Sequence, residues 1–328
     1  MSHPSPRATA RPVPALPGGP SRRGLLAGIG AGAAALLAGC SDSNPFAVHR
    51  REGSIVVGSQ QYYSNEIIAE LFARAIESRG LTVQREFRIG QREAYLPELA
   101  NGSIDVIPEY GGNLLQYYQH ASSTEPPAAL GAGPMTAEAV QEDLERILPS
   151  GLRVLAPAEA TDQDSFAVTR AGAEEHGLTS IGDLAALGRT VTIAANSEFT
   201  ARPYGPAGLR SVYGVDAEVI PVEDSGGPLT VKALTDGSVD VADVYSSDPA
   251  IEANDLVVLE DPSGLIAPQR VTPLVAEALA PAAVEAIGAV CARLSPGELR
   301  ALNARSTREQ LAAEVIAADW LAAQGLVG

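Results

Sequence analysis

Cysteine, lysine and most aromatic residue types are scarce in this sequence. Its 328 residues include two cysteines, one tryptophan and a single lysine, Lys232. Two cysteines cannot form a disulfide framework, and Cys291, in an alanine-rich helical pattern, is interpreted as a buried small apolar residue. None of the four histidines lies at metal-ligand spacing from Cys, Asp or Glu. No nucleophile elbow, phosphate-binding loop or dinucleotide fingerprint occurs, so we expect no catalytic residue, no metal and no cofactor.

Acidic residues are absent from the first 39 positions. This segment carries four arginines and an apolar run of small residues over 24–39, which is shorter than the roughly 20 residues of a membrane-spanning helix. The pattern predicts a signal peptide over 1–39. Its Arg22-Arg23 pair resembles a twin-arginine signal, and a chance pair with general secretory export is the alternative. Its end, Leu37-Ala38-Gly39-Cys40, resembles a bacterial lipobox.

The lipobox implies that Cys40 carries a lipid and becomes the first residue of the mature chain. Residues 40–53 are then a lipid-anchored tether, and the protein is exported and held at the outer face of the cytoplasmic membrane. Removal of the signal peptide takes the net charge from −17 to −21. Such a chain has no bulk electrostatic attraction to nucleic acid. Its length exceeds the size at which one core stays single, so we expect two lobes.

Strand and helix patterns alternate along the mature chain, which predicts parallel sheets covered by helices. An internal echo divides the pattern in two. Four residue types recur at a spacing of 135, namely Leu99, Gly102, Asp105 and Tyr110 as Leu234, Gly237, Asp240 and Tyr245. In each copy a helix ends at glycine, a buried strand follows, and a tyrosine comes just after that strand. Because ligands bind beyond the carboxyl ends of parallel strands, Tyr110 and Tyr245 are predicted to face one cleft. The alternative is that both merely cap their sheets.

Tyrosine is the one abundant aromatic residue, with nine copies against five phenylalanines. Tyr62 and Tyr63 lie in the first strand-exit loop. A ring face attracts a quaternary ammonium by about 0.5–2 kcal/mol, whereas micromolar binding needs about 8 kcal/mol. Hydrogen bonds or an ion pair must therefore contribute. Arg202 could hold a carboxylate, and Asp162 and Asp164 could attract a cation; a surface arginine and a solvated linker are the alternatives.

Four stretches in conserved order and spacing resemble the substrate-binding proteins of glycine betaine/choline/carnitine ABC importers. They are VVGSQQYYSNEIIAELFARAIE (56–77), IGQREAYLPELANGSIDVIPEYGGNLLQYY (89–118), SEFTARPYGPAGLRSVYG (197–214) and GGPLTVKALTDGSVDVADVYSSDPAI (226–251). The resemblance implies a type II periplasmic-binding-protein fold, an α/β fold with two α/β lobes, a ligand cleft and two crossover strands. The implied lobes are 54–160 plus 264–328, and 161–263.

The resemblance also implies a function and a site. The chain would be a monomeric, non-enzymatic receptor that delivers a small cationic or zwitterionic solute to a permease and an ATPase on separate chains. Tyr110 and Tyr245 match cage tyrosines, Tyr62 falls in the first binding loop, Arg202 matches a carboxylate-holding arginine, and Asn113 lines the cleft. The full predicted set is Tyr62, Tyr63, Arg92, Tyr110, Asn113, Asp162, Asp164, Arg202, Tyr245, Ser246 and Gln269.

Two segments depart from the best-known betaine receptors of this family. Gln269 follows a proline where those receptors have an aromatic pair, and Asp162 and Asp164 stand where an aromatic residue would complete the cage. The expected solute is therefore a quaternary-ammonium or betaine-like osmoprotectant. The alternatives are a different small zwitterion such as ergothioneine, and a surface interaction or sensor protein that transports nothing.

Overall fold

The computed structural model describes residues 50–121 and 134–327. The predicted signal peptide, Cys40 and nearly all of the predicted tether lie outside these residues. The described chain forms two five-stranded sheets. Each sheet with its covering helices is called a lobe below.

The sheet of the first lobe combines strands from both ends of the described chain. Its strands are β1 (Ile55–Gly58), β2 (Val83–Glu86), β3 (Val106–Tyr110), β4 (Leu152–Val154) and β10 (Val271–Ala276). They lie in the order β2-β1-β3-β10-β4. β1, β2 and β3 are parallel, and β10 is antiparallel to both of its neighbours.

The sheet of the second lobe repeats this arrangement. Its strands are β5 (Phe166–Thr169), β6 (Val191–Ala195), β7 (Ala217–Pro221), β8 (Val241–Asp243) and β9 (Leu256–Val258). They lie in the order β7-β6-β8-β5-β9, with β6, β7 and β8 parallel and β5 antiparallel to its neighbours. The three parallel strands of each sheet agree with the predicted parallel sheets, and each sheet also holds one antiparallel strand, which directly follows a crossover from the other lobe.

Strand β10 is not predicted from the sequence, because it contains Pro273, and proline argues against a central strand. In the structure Pro273 lies opposite Pro108 of β3. Hydrogen-bonded and non-hydrogen-bonded residue pairs alternate along an antiparallel pair of strands. The backbone bonds from Gly111 N–H to Arg270 O and from Ala276 N–H to Asp105 O mark two of the hydrogen-bonded pairs. Counting from them, Pro108 and Pro273 form a non-hydrogen-bonded pair, so neither proline removes a bond between β3 and β10.

The helices of the first lobe come from its beginning and from the tail. They are α1 (Tyr63–Glu77), α2 (Arg92–Ala100), α3 (Gly111–Ala121), α4 (Ala137–Ile147), α9 (Pro281–Cys291), α10 (Pro296–Arg308) and α11 (Ala313–Ala323). The C-terminal tail consists of α9, α10 and α11, and it packs on α1. Phe72 of α1 and Trp320 of α11 share one buried cluster. Full burial of such a side chain stabilises the fold by about 1.5–3 kcal/mol.

The second lobe carries shorter helices. They are α5 (Arg170–His176), α6 (Pro206–Tyr213), α7 (Pro228–Thr235) and α8 (Ala250–Ala253), with 3-10 turns at Ile181–Leu187 and Ser197–Ala201. Its core is a separate cluster that includes Phe166, Ile193 and Tyr204. Two cores of this kind are typical of a two-lobed protein.

The echoed aspartates have matching structural roles. Asp105 Oδ2 accepts a hydrogen bond of 2.8 Å from the backbone N–H of Val56 in β1. Asp240 Oδ2 accepts one of 2.9 Å from the backbone N–H of Thr192 in β6. Each carboxylate therefore ties the loop before one parallel strand to the start of its neighbour, which fixes the register of the strands whose opposite ends carry the echoed tyrosines.

The chain crosses between the sheets along two paired segments. Thr161 forms an isolated antiparallel bridge with Arg270. Asp162 and Asp164 follow on the outgoing segment, and Gln269 precedes the bridge on the returning one. The crossover thereby places these side chains where both lobes meet.

Candidate functional site

A small polar cavity of about 30 Å³ lies where the strand ends of both lobes meet. Eight of the eleven predicted site residues line it, namely Tyr62, Arg92, Tyr110, Asn113, Asp162, Asp164, Arg202 and Tyr245. These residues span 183 positions of sequence between Tyr62 and Tyr245, so the two-lobed fold is what brings them together.

The other three predicted residues lie behind the cavity wall. Tyr63 begins α1 and its hydroxyl donates a hydrogen bond of 2.8 Å to Asp248 Oδ2. Ser246 Oγ accepts a hydrogen bond of 3.0 Å from the backbone N–H of Gln163. Gln269 Nε2 donates to Asn113 Oδ1 at 2.8 Å, and its Oε1 accepts from the backbone N–H of Asn113 at 2.9 Å. Gln269 thus orients Asn113.

Gly112 permits this close approach of the returning crossover segment to α3. A Cβ atom at position 112 would come within 2.8 Å of Pro268 O and of Gln269 Nε2. A side chain there would push the crossover segment away from Asn113. Gly112 is therefore needed for the packing that builds the site.

Tyr62 lies between the two echoed tyrosines. Its ring centroid is 6.4 Å from that of Tyr110, with an interplanar angle of 24°. It is 5.0 Å from that of Tyr245, with an angle of 56°. Tyr110 is the last residue of β3 and not a residue after the strand, whereas Tyr245 lies two residues beyond β8. The echoed tyrosines share one cleft, but a third ring separates them.

All three phenols are neutral. Burial raises the pKa of Tyr62 and Tyr245 well above the ordinary value, and nearby acids raise it further. Burial also raises the pKa of Tyr110, with Asp162 adding to the effect. Neutral rings present the negative faces that attract an organic cation.

Acidic side chains line the cavity on the side of the second lobe. Asp164 Oδ2 accepts hydrogen bonds from Asn113 Nδ2 at 3.0 Å and from the Tyr204 hydroxyl at 2.9 Å. Asp243, the last residue of β8, and Glu198, in the turn after β6, join it in the cavity lining. This negative charge favours a positively charged group in the cavity.

The two arginines of the cavity are both paired. Arg92 Nε and Nη2 donate to the two carboxylate oxygens of Glu109 at 2.8 and 2.9 Å. Arg202 Nη1 donates to Glu93 Oε1 at 3.2 Å, and its side chain is 18% exposed. Arg92 is therefore neutralised by a buried two-point ion pair, while Arg202 makes one long hydrogen bond among the described residues and has donors left for a ligand.

A buried polar network joins the lobes beside the cavity. Asp162 accepts hydrogen bonds from the Ser64 hydroxyl at 2.8 Å and from the Ser247 hydroxyl at 2.6 Å. Asn303 Nδ2 donates to both serine hydroxyls, at 3.1 and 2.7 Å. Burial raises the pKa of Asp162 to about 6, against the lowering effect of the serine hydrogen bonds. The Asp162 carboxyl therefore lines the cavity and also takes part in the contact between the lobes.

Sequence reasoning missed seven of the lining residues: Gln60, Gln91, Asn196, Glu198, Phe199, Tyr204 and Asp243. Glu198, Phe199 and Tyr204 fall within the 197–214 stretch that carried part of the resemblance, and Asp243 comes two residues before Tyr245. A rule that inspects every polar residue at a strand exit would have found most of them.

Comparison with known proteins assigns the described body to one family. The family model for the substrate binding domain of the ABC-type glycine betaine transport system matches residues 53–323. The chain belongs to this family of substrate-binding components of ABC transporters, which confirms the resemblance inferred from the sequence. Proteins of this family are extracytoplasmic solute-binding proteins and not enzymes.

Named relatives and a solved structure agree with this assignment. The chain is 27% identical over 283 residues to the glycine betaine-binding protein YehZ of Escherichia coli (strain K12), covering 83% of this chain and 90% of YehZ. It is 24% identical over 277 residues to a glycine-betaine-binding protein of Pseudomonas aeruginosa, covering 81% and 86%. The crystal structure of a glycine betaine/carnitine/choline ABC transporter protein superposes with a TM-score of 0.64 at 21% identity, covering 83% of this chain and 99% of that one. The predicted type II periplasmic-binding fold is confirmed.

Within the described ranges, none of the helices is long and apolar enough to span a bilayer.

Proposed function

We propose that this protein is the receptor of an ABC importer and that it binds a quaternary-ammonium or betaine-like osmoprotectant in the cavity between its lobes. It would deliver the solute to a permease and an ATPase carried on separate chains. The observation that carries the proposal is the contact of Tyr62 with both Tyr110 and Tyr245, at 6.4 and 5.0 Å between ring centroids, next to buried carboxyls.

The chemistry of the cavity supports a small solute with a positive charge. Three rings at about 0.5–2 kcal/mol each contribute about 1.5–6 kcal/mol, which is less than the roughly 8 kcal/mol of micromolar binding. Hydrogen bonds to Asn113 and an ion pair with an acidic residue would supply the remainder. Arg202 offers a second pole for a solute that also has a carboxylate.

Solute uptake requires the lobes to open. Tyr62 of the first lobe and Tyr245 of the second both line the cavity, and their ring centroids are 5.0 Å apart, which leaves no room for a solute between the two rings. We infer that the two crossover segments act as a hinge, that the solute enters the open form, and that closure presents the liganded lobes to the permease. The name of the two relatives supports glycine betaine as the first solute to test.

Isothermal titration tests the ligand class directly. The purified protein without its first 40 residues is titrated with glycine betaine, choline, carnitine, proline betaine and ergothioneine. We expect saturable binding of at least one quaternary amine, accompanied by a smaller radius of gyration in X-ray scattering. Absence of binding by all five compounds would overturn the proposal, and binding without compaction would remove the hinge from it.

A further inference from the structure

Asp164 and Asp243 are two buried carboxyls in one cavity wall. Asp164 is 8% exposed and Asp243 is 7% exposed. Two hydrogen-bond donors, Asn113 Nδ2 and the Tyr204 hydroxyl, point to the same oxygen of Asp164. Asp243 Oδ1 is buried and has no hydrogen-bond partner among the described residues. Two side-chain donors therefore contact Asp164, whereas Asp243 has an unpartnered Oδ1 and a backbone hydrogen bond with Ser165.

Two adjacent buried carboxyls cannot both ionise at low cost. Burial raises the pKa of Asp243 well above its ordinary value, and the charge of Asp164 and a hydrogen bond with it raise it further. Glu198 faces Asp243 from the turn after β6 and adds in the same direction. The arginines in reach are Arg92, held by Glu109, and Arg202, held by Glu93. Burial and the neighbouring acids therefore favour the protonated form of Asp243 in the absence of a solute.

An independent feature of the same cavity also calls for a ligand. Gln60, in the loop after β1, is 4% exposed, and its side-chain Nε2 has no hydrogen-bond partner among the described residues. A buried N–H donor without a partner costs about 1–3 kcal/mol. Gln60 lines the cavity together with Asp164 and Asp243, so an acceptor oxygen on a bound solute would satisfy it.

The kind of cation follows from the neighbours of the pair. The described residues contain no group of three or more His, Cys, Asp or Glu side chains placed to hold a metal ion. The ring of Tyr245 lies close enough to both carboxyls that their charges affect its phenol. Carboxyls beside aromatic rings suit an organic ammonium, which gains from ring faces and negative charge at once.

We propose that Asp164 and Asp243 form a proton-exchanging cation subsite, in which the fixed positive charge of the solute replaces the proton that the two carboxyls share. This inference rests on the proposed function and adds a mechanism to it. The exchange balances simply: the solute cation enters, the O–H bond of Asp243 breaks, and the proton passes to the buffer. Both carboxylates then face one positive charge, which offsets their mutual repulsion.

Proton release gives the proposal a direct readout. Choline and glycine betaine are titrated into the mature protein at about pH 7 in phosphate and in Tris, whose ionisation enthalpies differ. The dependence of the binding heat on buffer enthalpy gives the number of protons exchanged. We expect the wild type to release about one proton per solute bound. Asp243→Asn preserves the shape of the side chain but holds no exchangeable acid, so we expect it to release close to none.

Asp216→Asn, the same chemical change at an exposed residue of the second lobe, is the matched control and should release as many protons as the wild type. Solute binding with no proton release in the wild type overturns the subsite and leaves the proposed function intact. Undiminished release from a folded Asp243→Asn protein also overturns it. If choline, glycine betaine and the three other solutes all fail to bind, both the proposed function and the cation subsite are overturned. The wild-type measurement decides by itself if Asp243→Asn does not fold.

Discussion

Asn303 of α10 donates a hydrogen bond of 2.7 Å to the hydroxyl of Ser247, which lies beyond β8 in the second lobe. The same amide reaches Ser64 of α1 at 3.1 Å. Both hydroxyls bond to Asp162 in the crossover segment. A side chain of the C-terminal tail thus holds the two lobes together at a carboxyl that also lines the cavity, which links closure to the charge state of the site.

The Asn303 contact predicts a loss of affinity without a change in the cavity lining. Asn303→Ala removes the shared donor, and a lost buried hydrogen bond costs about 1–3 kcal/mol. Because these bonds join the lobes, we expect the closed form to be less populated and solute affinity to fall about tenfold. Isothermal titration and X-ray scattering of the liganded protein measure both effects.

Asn254→Ala is the control for this prediction. Asn254 Nδ2 donates to Ala250 O within its own turn and does not join the two lobes, so its loss should leave affinity and scattering unchanged. Equal affinity of Asn303→Ala and wild type would show that the network does not contribute to closure.

The raised pKa of Asp162, about 6, predicts a pH dependence of stability. The folded state keeps this proton to a higher pH than the unfolded chain does. The stabilisation is therefore complete below the ordinary pKa and is lost as the pH rises through about 6. The difference amounts to about 3 kcal/mol for a residue that is 4% exposed.

Asp162→Asn should remove this part of the profile. In denaturant unfolding of the solute-free protein, the free energy of unfolding of the wild type should fall relative to that of Asp162→Asn between about pH 4 and pH 6. The comparison isolates Asp162 from the other titrating acids. A constant difference across this range would mean that Asp162 keeps an ordinary pKa in the folded protein.

The tyrosine contacts predict an order of effects on binding. Tyr62 touches both other rings, so Tyr62→Ala should weaken solute binding more than Tyr245→Ala, for which we expect at least about tenfold. Phenylalanine at either position keeps the ring face and should cost about threefold or less. Titration with choline measures all four variants. An unchanged affinity of Tyr245→Ala would remove Tyr245 from the cage.

The sequence allowed the lobes and most of the cavity to be predicted, because repeated strand exits are a local pattern. Tyr110 and Tyr245 could be paired from their echo alone. The position of Tyr62 between them could not, since it depends on how closely the lobes approach. Gln269 was predicted to contact the solute, and in the structure its side chain is bonded to Asn113, a contact that joins residues 156 positions apart. Pairing over such distances leaves no periodic trace in a single sequence.

The lipobox predicts where the chain is modified. Cys40→Ser should abolish fatty-acid labelling and move the protein from the membrane fraction to the soluble exported fraction. Cys291→Ala is the matched control, since Cys291 is buried in the tail helices and burial raises the pKa of its thiol to about 12. A buried neutral thiol reacts poorly, so this variant should stay labelled. Retention of label by Cys40→Ser would refute the anchor.

Arg202 and Glu93 together predict how the site distinguishes a zwitterion from a simple cation. Arg202 holds Glu93 through one hydrogen bond of 3.2 Å, and the Glu93 side chain is 58% exposed. A solute carboxylate can displace so weak a partner, because exposed ion pairs contribute at most about 1 kcal/mol. Arg202→Gln should therefore weaken glycine betaine about tenfold or more, while choline, which has no carboxylate, changes by about threefold or less.

Glu93→Gln, the matched variant, should change the affinity for glycine betaine in the opposite direction. Glu93→Gln removes the competing carboxylate without touching the cavity lining, so glycine betaine should bind about threefold more tightly and choline should not change. The informative quantity is the ratio of the two affinities, measured by titration in the same buffer. If Arg202→Gln weakened both solutes equally, Arg202 would act by shaping the loop after β6 and not by holding a carboxylate, because a purely structural defect cannot tell the two solutes apart.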